Sequence, residues 1–459
     1  MTRRIVYRES FVAAFAAVTV GALVGASSGQ ITPLRTEAFA FVPALATADS
    51  RVGSSVAIAN GVGVVGNFAN ADSGVFSQGV YTFDAATGTP GVTLVPDMPG
   101  LDSGFGFSVS ALGDAVAVAA PLVTGFDQGP DGAVVLFDGS SGVATGVLPR
   151  PSGGRELYGW ASAITADSII VGAPVAGDAN LGLVRVFDRA TGALVRELTP
   201  DDPTVATGFG FSVAAANGRV VVGAPFGSDD GARGGSVYVF DEATGTQLAK
   251  LRRAEPEVGD EFGWALALSG DRLAVSAPFA ADSAGDRDGV VSVYDLATFS
   301  LERELEADMT APEIRFGDAL ALDGDRLVVG AVGQAGGGAA GVFDVMSGEE
   351  LLRLTPSDGA VGDDFGASVA IEGTTVLVGA PFRDAAGVDT GVVYMFDASV
   401  PCSAADLVPT FGVVDLDDAD AFIDAFLVGD PAVDFAPNFG VVDLDDVNAF
   451  ITSFLAGCP

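Results

Sequence analysis

Histidine is absent from all 459 residues, and lysine occurs once, at Lys250. Basic residues total 22 against 60 acids, for a net charge of -38, and there are only 2 cysteines and 2 tryptophans. Each scarcity excludes a class of chemistry. Without histidine there is no Ser-His-Asp or Cys-His triad, no imidazole general base, and no His-ligated zinc or haem. So few cations among so many acids cannot hold a phosphate backbone, and no nucleic acid partner is expected. Anionic membrane surfaces should repel the chain too. What is abundant is apolar and small: 49% of residues are hydrophobic and 62 are glycine, with 18% charged. That balance belongs to a folded, β-rich chain with many tight turns, long enough for a large core plus a second small unit.

Residues 1–28 read as an export signal. Arg3, Arg4 and Arg8 form a basic start, and Phe11 to Ala26 is an apolar run of 16 residues, short for a membrane span. Val24-Gly25-Ala26 offers a small-residue cleavage site. An uncleaved N-terminal anchor is the alternative. No other stretch is apolar for long enough to span a bilayer, so the expected location is secreted or cell-surface, with no span after cleavage. Cys402 and Cys458 bracket the end of the chain. In an exported protein such a pair reads as a disulfide clasp; free thiols or one intermolecular bond are the alternatives.

The middle of the chain is a repeat. An aromatic-Gly pair recurs in Phe105-Gly106, Tyr158-Gly159, Phe209-Gly210, Phe262-Gly263, Phe316-Gly317 and Phe365-Gly366, with a degenerate first copy at Val52-Gly53. The copies start near 52, 105, 158, 209, 262, 316 and 365, so the spacings are 53, 53, 51, 53, 54 and 49. Each copy opens with a strand that begins on the aromatic-Gly pair. A tight turn follows, such as Asn217-Gly218, and then an apolar run ending in Gly-Ala-Pro, as in Gly223-Ala224-Pro225 and Gly379-Ala380-Pro381. A third strand ends in Phe-Asp, as in Phe240-Asp241, and a turn such as Ala243-Thr244-Gly245 opens a fourth. Period-2 alternation and Gly/Asn/Asp turns make these strands. Four short strands in every ~50 residues are the mark of propeller blades. Seven copies predict an all-β, seven-bladed β-propeller over residues 36–400.

The seventh copy has no fourth strand, because its third runs into Pro401 and Cys402. In other copies a proline ends the fourth strand nine residues before the aromatic, as Pro149 precedes Tyr158. Pro43 stands nine residues before Val52, after Phe39-Ala40-Phe41-Val42. Residues 36–43 are therefore expected to close the last blade and bury both ring edges.

Phe-Gly followed by Gly-Ala-Pro resembles the FG-GAP repeat, the unit of the integrin α-chain propeller, over residues ~36–400. Blades of integrin type often carry an Asp-x-Asp-x-Asp-Gly calcium loop before the Gly-Ala-Pro strand. Here that place holds only a tight turn, as in Leu322-Asp323-Gly324-Asp325-Arg326-Leu327. So short a turn cannot supply the roughly six oxygens calcium takes, and blade calcium sites are not carried over.

The loops expected on one propeller face are acidic, including Asp260, Glu261, Asp363 and Asp364. A ligand face for a protein, a glycan, a cationic partner or divalent ions is one reading; a solvated surface with Asp as turn former is the other. Asp138, Asp188 and Asp241, after third strands, read as turn chemistry. Asp282-Ser283-Ala284-Gly285-Asp286-Arg287-Asp288-Gly289 is the best single cation loop in the propeller, without EF-hand spacing. Trp160 and Trp264 stand where other copies have Phe107 and Phe211. Tryptophan can stack a sugar, but the equivalence to Phe points to core or channel packing.

Residues 402–459 carry a second repeat, with a period of 28. Asp406 to Asp418 matches Asp434 to Asp446, and each is followed by an i, i+3, i+4, i+7 apolar pattern such as Ala419, Phe422, Ile423 and Phe426. Two loop-helix halves closed by end cysteines resemble a type I dockerin, and most closely the GC-type dockerin domain-anchored proteins, whose chains end as Gly457-Cys458-Pro459 does. The resemblance implies a small all-α, EF-hand-like pair that binds calcium. Asp406, Asp415 and Asp418 match its first, ninth and twelfth ligand places, as do Asp434, Asp443 and Asp446, with Asn438 an extra ligand. Val408, Thr410 and Ala436 replace acids, so calcium binding would be weak. Helix capping by the same Asp residues is the alternative.

The expected function is an exported, non-catalytic binding or adhesion scaffold. A propeller would present a ligand face, and the tail would dock to a cohesin-like or cell-surface protein. No G-x-S-x-G, P-loop or Cys-x-x-Cys occurs. The alternative is a secreted carbohydrate-active or other hydrolase using acidic residues on the propeller face. A purely structural spacer is a third reading.

Overall fold

A computed structural model describes residues 34–399 except 36, 45, 68–78, 97–103, 122–131, 150–155, 177–180, 203–207, 229–233, 284 and 308–313. The export signal expected at 1–28 and the dockerin-like unit at 402–459 lie outside the described residues. So do Cys402, Cys458 and the tail's candidate ligands Asp406, Asp415, Asp418, Asp434, Asn438, Asp443 and Asp446.

The described residues hold 29 strands in seven sheets, one per sequence repeat, and form a seven-bladed β-propeller. Blades 1 to 7 begin with the repeats at Val52, Phe105, Tyr158, Phe209, Phe262, Phe316 and Phe365. Blade 4 is typical. Its strands Ser212–Ala216, Arg219–Ala224, Ser236–Asp241 and Gln247–Leu251 lie in that order, each antiparallel to the next. The second and third are buried along nearly their whole length, the outer two only in part. Strands covered on both faces need no polar alternation, which is why Val220-Val221-Val222 runs unbroken.

The core lies between blades. Ile170, Val184 and Val186 of blade 3 pack against Phe209, Val222, Tyr238 and Phe240 of blade 4 in one cluster. The repeat aromatic is the centre of each such layer. Phe209 meets Tyr238 and Phe240 edge-to-face at 5.5 and 5.9 Å, and Phe365 meets Tyr394 and Phe396 at 5.5 and 5.8 Å. Such pairs add roughly 0.5–1.5 kcal/mol each beyond the area they bury.

The aromatic-Gly pair is a turn in blades 2 to 5 and 7, rather than the opening of the first strand that its pattern predicts. The reason is backbone. Gly106, Gly210 and Gly263 have φ of 90, 91 and 94°, outside the reach of extended L-residues. In blades 1 and 6 the first strand does include the pair, but its pairing register breaks between Val52 and Val56 and between Phe316 and Leu320. The turn is closed by a repeated bond: Phe211 N–H donates to Gly208 C=O at 3.0 Å, and Trp264 N–H to Glu261 C=O at 3.1 Å.

The Asp that ends each third strand folds the hairpin to the fourth. Asp241 Oδ1 accepts from Thr244 N–H and Oγ1–H, both at 2.8 Å. Gly245 then takes a φ of 75° and a bulge follows in the ladder. These bonds hold the Asp241 and Asp188 carboxyls below their ordinary value, and Asp138 at about 2, the side-chain hydroxyl bond being the largest cause in each. These acids are turn formers.

The N-terminal segment spans two blades. Phe39–Phe41 pairs antiparallel with Val392–Asp397 as the fourth strand of blade 7. Just before it, Leu34–Arg35 adds a fifth, parallel strand to blade 6, beside Glu350–Leu354. Two residues are too few to show a period, and the sequence pattern gives no sign of that strand.

Candidate functional site

In every blade the N–H that closes the turn around the aromatic-Gly pair belongs to the residue just after the glycine, and that residue lines the propeller axis. Blades 2 to 5 put Phe107, Trp160, Phe211 and Trp264 there; blades 6, 7 and 1 put Asp318, Ala367 and Ser54. Together with the next two residues of each blade they line an axial depression of ≈ 340 Å³. The four rings form an arc. Phe107 to Trp160 is 4.6 Å between centroids, Trp160 to Phe211 5.5 Å, and Phe211 to Trp264 4.9 Å, each pair tilted by 43 to 48°. All four are half-buried, whereas Phe105, Phe209 and Phe262 two residues upstream are 1% exposed or less. Trp160 and Trp264 thus line the axial depression.

Beside the Trp264 end of the arc, Asp318 is ion-paired with Arg315, whose guanidinium also lies 5.5 Å from the Phe279 ring. Burial pushes the Asp318 carboxyl up to about 6; Arg315 opposes the shift and Asp364 reinforces it. Burial likewise raises Glu261 and Asp364, again against the pull of Arg315. Three carboxyls therefore share one guanidinium. The folded chain holds the Asp318 proton more tightly than the unfolded chain does, so this group's stabilising contribution is present below its ordinary value of 3.8 and is lost as pH rises through about 6. Asp318→Asn should remove that decline, with a gain near pH 7 of at most about 3 kcal/mol. Urea unfolding midpoints at pH 4, 5, 6 and 7 check it; parallel curves for the two proteins would refute it.

The other acids of this face are mostly occupied locally. Asp260 is fully buried and accepts from Arg253 at 3.1 Å and from Glu257 N–H at 2.9 Å. Asp363 accepts from Ala360 N–H at 2.8 Å and lies 3.5 Å from Arg383. Among the described residues one acidic group could hold a metal: oxygens of Asp282, Asp286 and Asp288 lie within 4.8 Å of one another. Asp282 Oδ1 already accepts from Asp286 N–H at 2.9 Å. Arg287 turns away to the carbonyls of Val258 and Gly259. Three carboxylates are a partial shell for calcium, which takes about six to eight oxygens. In the turn before the Gly330-Ala331 strand of blade 6, Asp323 accepts from Gly373 N–H and Asp325 pairs with Arg272.

The model of the family described as FG-GAP repeat matches residues 193–240, 246–294 and 349–396. The chain carries FG-GAP repeats. No curated protein matches it. The FG-GAP signature has a direct structural meaning here. The Gly of Phe-Gly donates its N–H to the Gly of Gly-Ala-Pro in its own blade, as Gly210 does to Gly223 C=O at 3.1 Å. Its carbonyl faces the corresponding Gly of the preceding blade: a Cβ on Gly172 would stand 2.1 Å from Gly210 O. A serine two residues on, as in Ser212, bonds the carbonyl of the next blade's Phe-Gly glycine at 2.7 Å. Among the described residues no helix is long and apolar enough to cross a membrane.

Proposed function

We propose that this protein is an exported, non-catalytic binding scaffold whose FG-GAP propeller presents a ligand at its axial mouth and whose 402–459 tail docks to a cohesin-like or cell-surface protein. A propeller of FG-GAP repeats suggests a binding or scaffold role. The observation that carries the reading is the axial depression, to which all seven blades contribute. The tail's part rests on its period-28 repeat and its dockerin resemblance. Calcium, where bound, would be held weakly by Asp406, Asp415 and Asp418 and by Asp434, Asn438, Asp443 and Asp446, with Asp282, Asp286 and Asp288 a further cluster.

The hydrolase alternative draws on one observation, the raised carboxyls of Asp318 and Asp364 around Arg315. Of the two, only Asp318 lines the depression.

The test uses the full chain and the chain ending at 401 as baits on envelope extract, with and without a calcium chelator. Capture of one protein by the full chain, lost on truncation, is expected. Equal capture by both baits sinks the docking role; capture that survives chelation sinks its calcium dependence. The full chain is also incubated with chromogenic glycosides and esters. Turnover that disappears in Asp318→Asn would replace the scaffold reading with the hydrolase.

A further inference from the structure

We propose that the axial depression is a carbohydrate site, taking a neutral pyranose at the end of a glycan with its apolar face on the Phe107–Trp264 arc. This rests on the binding reading above and names the ligand class of that same mouth.

The arc is not needed by the core. Each of blades 2 to 5 already buries one aromatic fully, at Phe105, Tyr158, Phe209 and Phe262, and carries the second one residue past the glycine, facing the axis. Four half-buried rings over four consecutive blades form a continuous aromatic arc in which each ring touches the next. The remaining blades break the pattern, offering a carboxyl, a methyl and a hydroxyl at Asp318, Ala367 and Ser54. A site with one aromatic wall and one polar wall suits a ligand with an apolar face and a rim of hydroxyls. Its ≈ 340 Å³ lies at the lower end of the roughly 300–1,000 Å³ that ligand pockets span, so it suits one or two rings rather than an extended chain.

Charge decides against the other ligand classes. The chain as a whole carries -38, yet the one charged side chain lining the depression is Asp318. Arg315 pairs with Asp318, and Arg51 lies 5.0 Å from the Phe382 ring. With that carboxylate already paired, the lining offers no unmatched charge to a cation or an anion, whereas a neutral polyol can use its hydroxyls and carboxylate oxygens.

The turn before each aromatic-Gly pair is left-handed in every blade. Arg51, Leu157, Glu261, Arg315 and Asp364 hold φ of 52, 52, 59, 54 and 55°, where blades 2 and 4 have Gly104 and Gly208. Glycine would make this turn without strain, at a saving of about 1–2 kcal/mol each.

The experiment is provided by composition: Trp160 and Trp264 are the only tryptophans, and both line the depression. Tryptophan emission of the full chain is titrated with methyl α- and β-pyranosides of glucose, galactose, mannose and N-acetylglucosamine. Choline and acetate serve as charged probes. At least one pyranoside should change the emission saturably. Trp160→Ala should weaken that binding about tenfold, equivalent to ~1.4 kcal/mol, while Trp160→Phe retains most of it. Phe107→Leu keeps an apolar side chain at the first place of the arc, so it should melt close to the parent while binding the sugar at least several-fold less tightly. That variant keeps the proposal falsifiable if Trp160→Ala fails to fold. Flat titrations with every pyranoside overturn the carbohydrate site. Saturation by choline or acetate instead overturns it too, but leaves a binding mouth standing. Silence from all probes together with equal capture by the two baits would bring down the binding reading itself.

Discussion

Gly379→Ala should open the ring at its seam. Gly379 belongs to the Gly-Ala-Pro strand of blade 7, and an added Cβ would lie 2.1 Å from Gly53 O and 2.4 Å from Ser368 Oγ. The first atom is backbone and cannot rotate away. The second is the donor that bonds Gly53 O at 2.7 Å, so the methyl would also break the serine latch between blades 7 and 1. Overpacking of a filled site costs about 1–3 kcal/mol, and more where backbone must shift. The same clash recurs at other junctions: Gly66 against Gly106 O at 2.2 Å, Gly223 against Gly263 O at 2.2 Å, Gly330 against Gly366 O at 2.0 Å. There, however, the chain itself links the two blades. Blades 7 and 1 meet only through side chains, backbone bonds and the N-terminal strand. The loss in urea midpoint should therefore be at least as large for Gly379→Ala as for Gly223→Ala, and only the former should sensitise both blades 7 and 1 to limited proteolysis. An unchanged midpoint for Gly379→Ala would show that the junctions are not limited by this contact. Two junctions serve as internal controls. Blades 2 and 5 carry Ala119 and Ser276 at this place, and the facing glycines, Gly159 and Gly317, could not accept a Cβ of their own without approaching those side chains to 2.9 and 2.7 Å. At those two junctions the backbones stand far enough apart for that one Cβ; the Gly–Gly junctions, including the seam of blades 7 and 1, leave no such room.

The number of blades and their class were legible because they are local: turn residues and alternating strands repeat at a spacing near fifty, and only a propeller satisfies seven copies. The turn-forming role of Asp138, Asp188 and Asp241 was legible for the same reason, since each bonds amides and hydroxyls two to three residues on. What escaped the sequence is set by neighbours far along the chain. Gly172 reads as a strand residue until Gly210 O is found against it. Asp260 is written like any loop acid, yet it is fully buried on Arg253. Phe107 and Trp160 could be recognised as equivalent, but whether that place faces a core or an axis depends on the ring having closed. Asp318 carries no sequence mark at all. Its displaced carboxyl comes from burial at the axis, which no window of residues contains.

Phe41→Ala should be the most damaging single change in the N-terminal segment. Phe39–Phe41 contributes only three paired residues to blade 7, Phe39 to Met395, Ala40 to Tyr394 and Phe41 to Val393. So short a ladder cannot hold an edge by hydrogen bonds alone. The rings hold it. Phe41 stacks on Phe83 of blade 1 at 4.5 Å and 18°, and Phe39 meets the same ring edge-on at 6.1 Å. Blade 1 needs this support because Val52 stands where the other blades have Phe or Tyr. Phe83, the counterpart of Phe240, thus lacks the ring partner that Phe209 gives Phe240, and finds one in a strand of the neighbouring sheet. The single contact therefore replaces a missing intrablade pair and closes the ring. Removing a buried phenyl costs about 3–5 kcal/mol. Hydrogen exchange should localise the damage, with protection falling first in Val392–Asp397 and Val80–Asp84, on both sides of the seam, before the amides of blade 4 respond. Phe83→Ala should reproduce the pattern, and the double variant should cost less than the two losses added, because both remove one stacked pair. Additive losses, or exchange that rises evenly around the ring, would mean that the strand closes blade 7 without clasping blade 1.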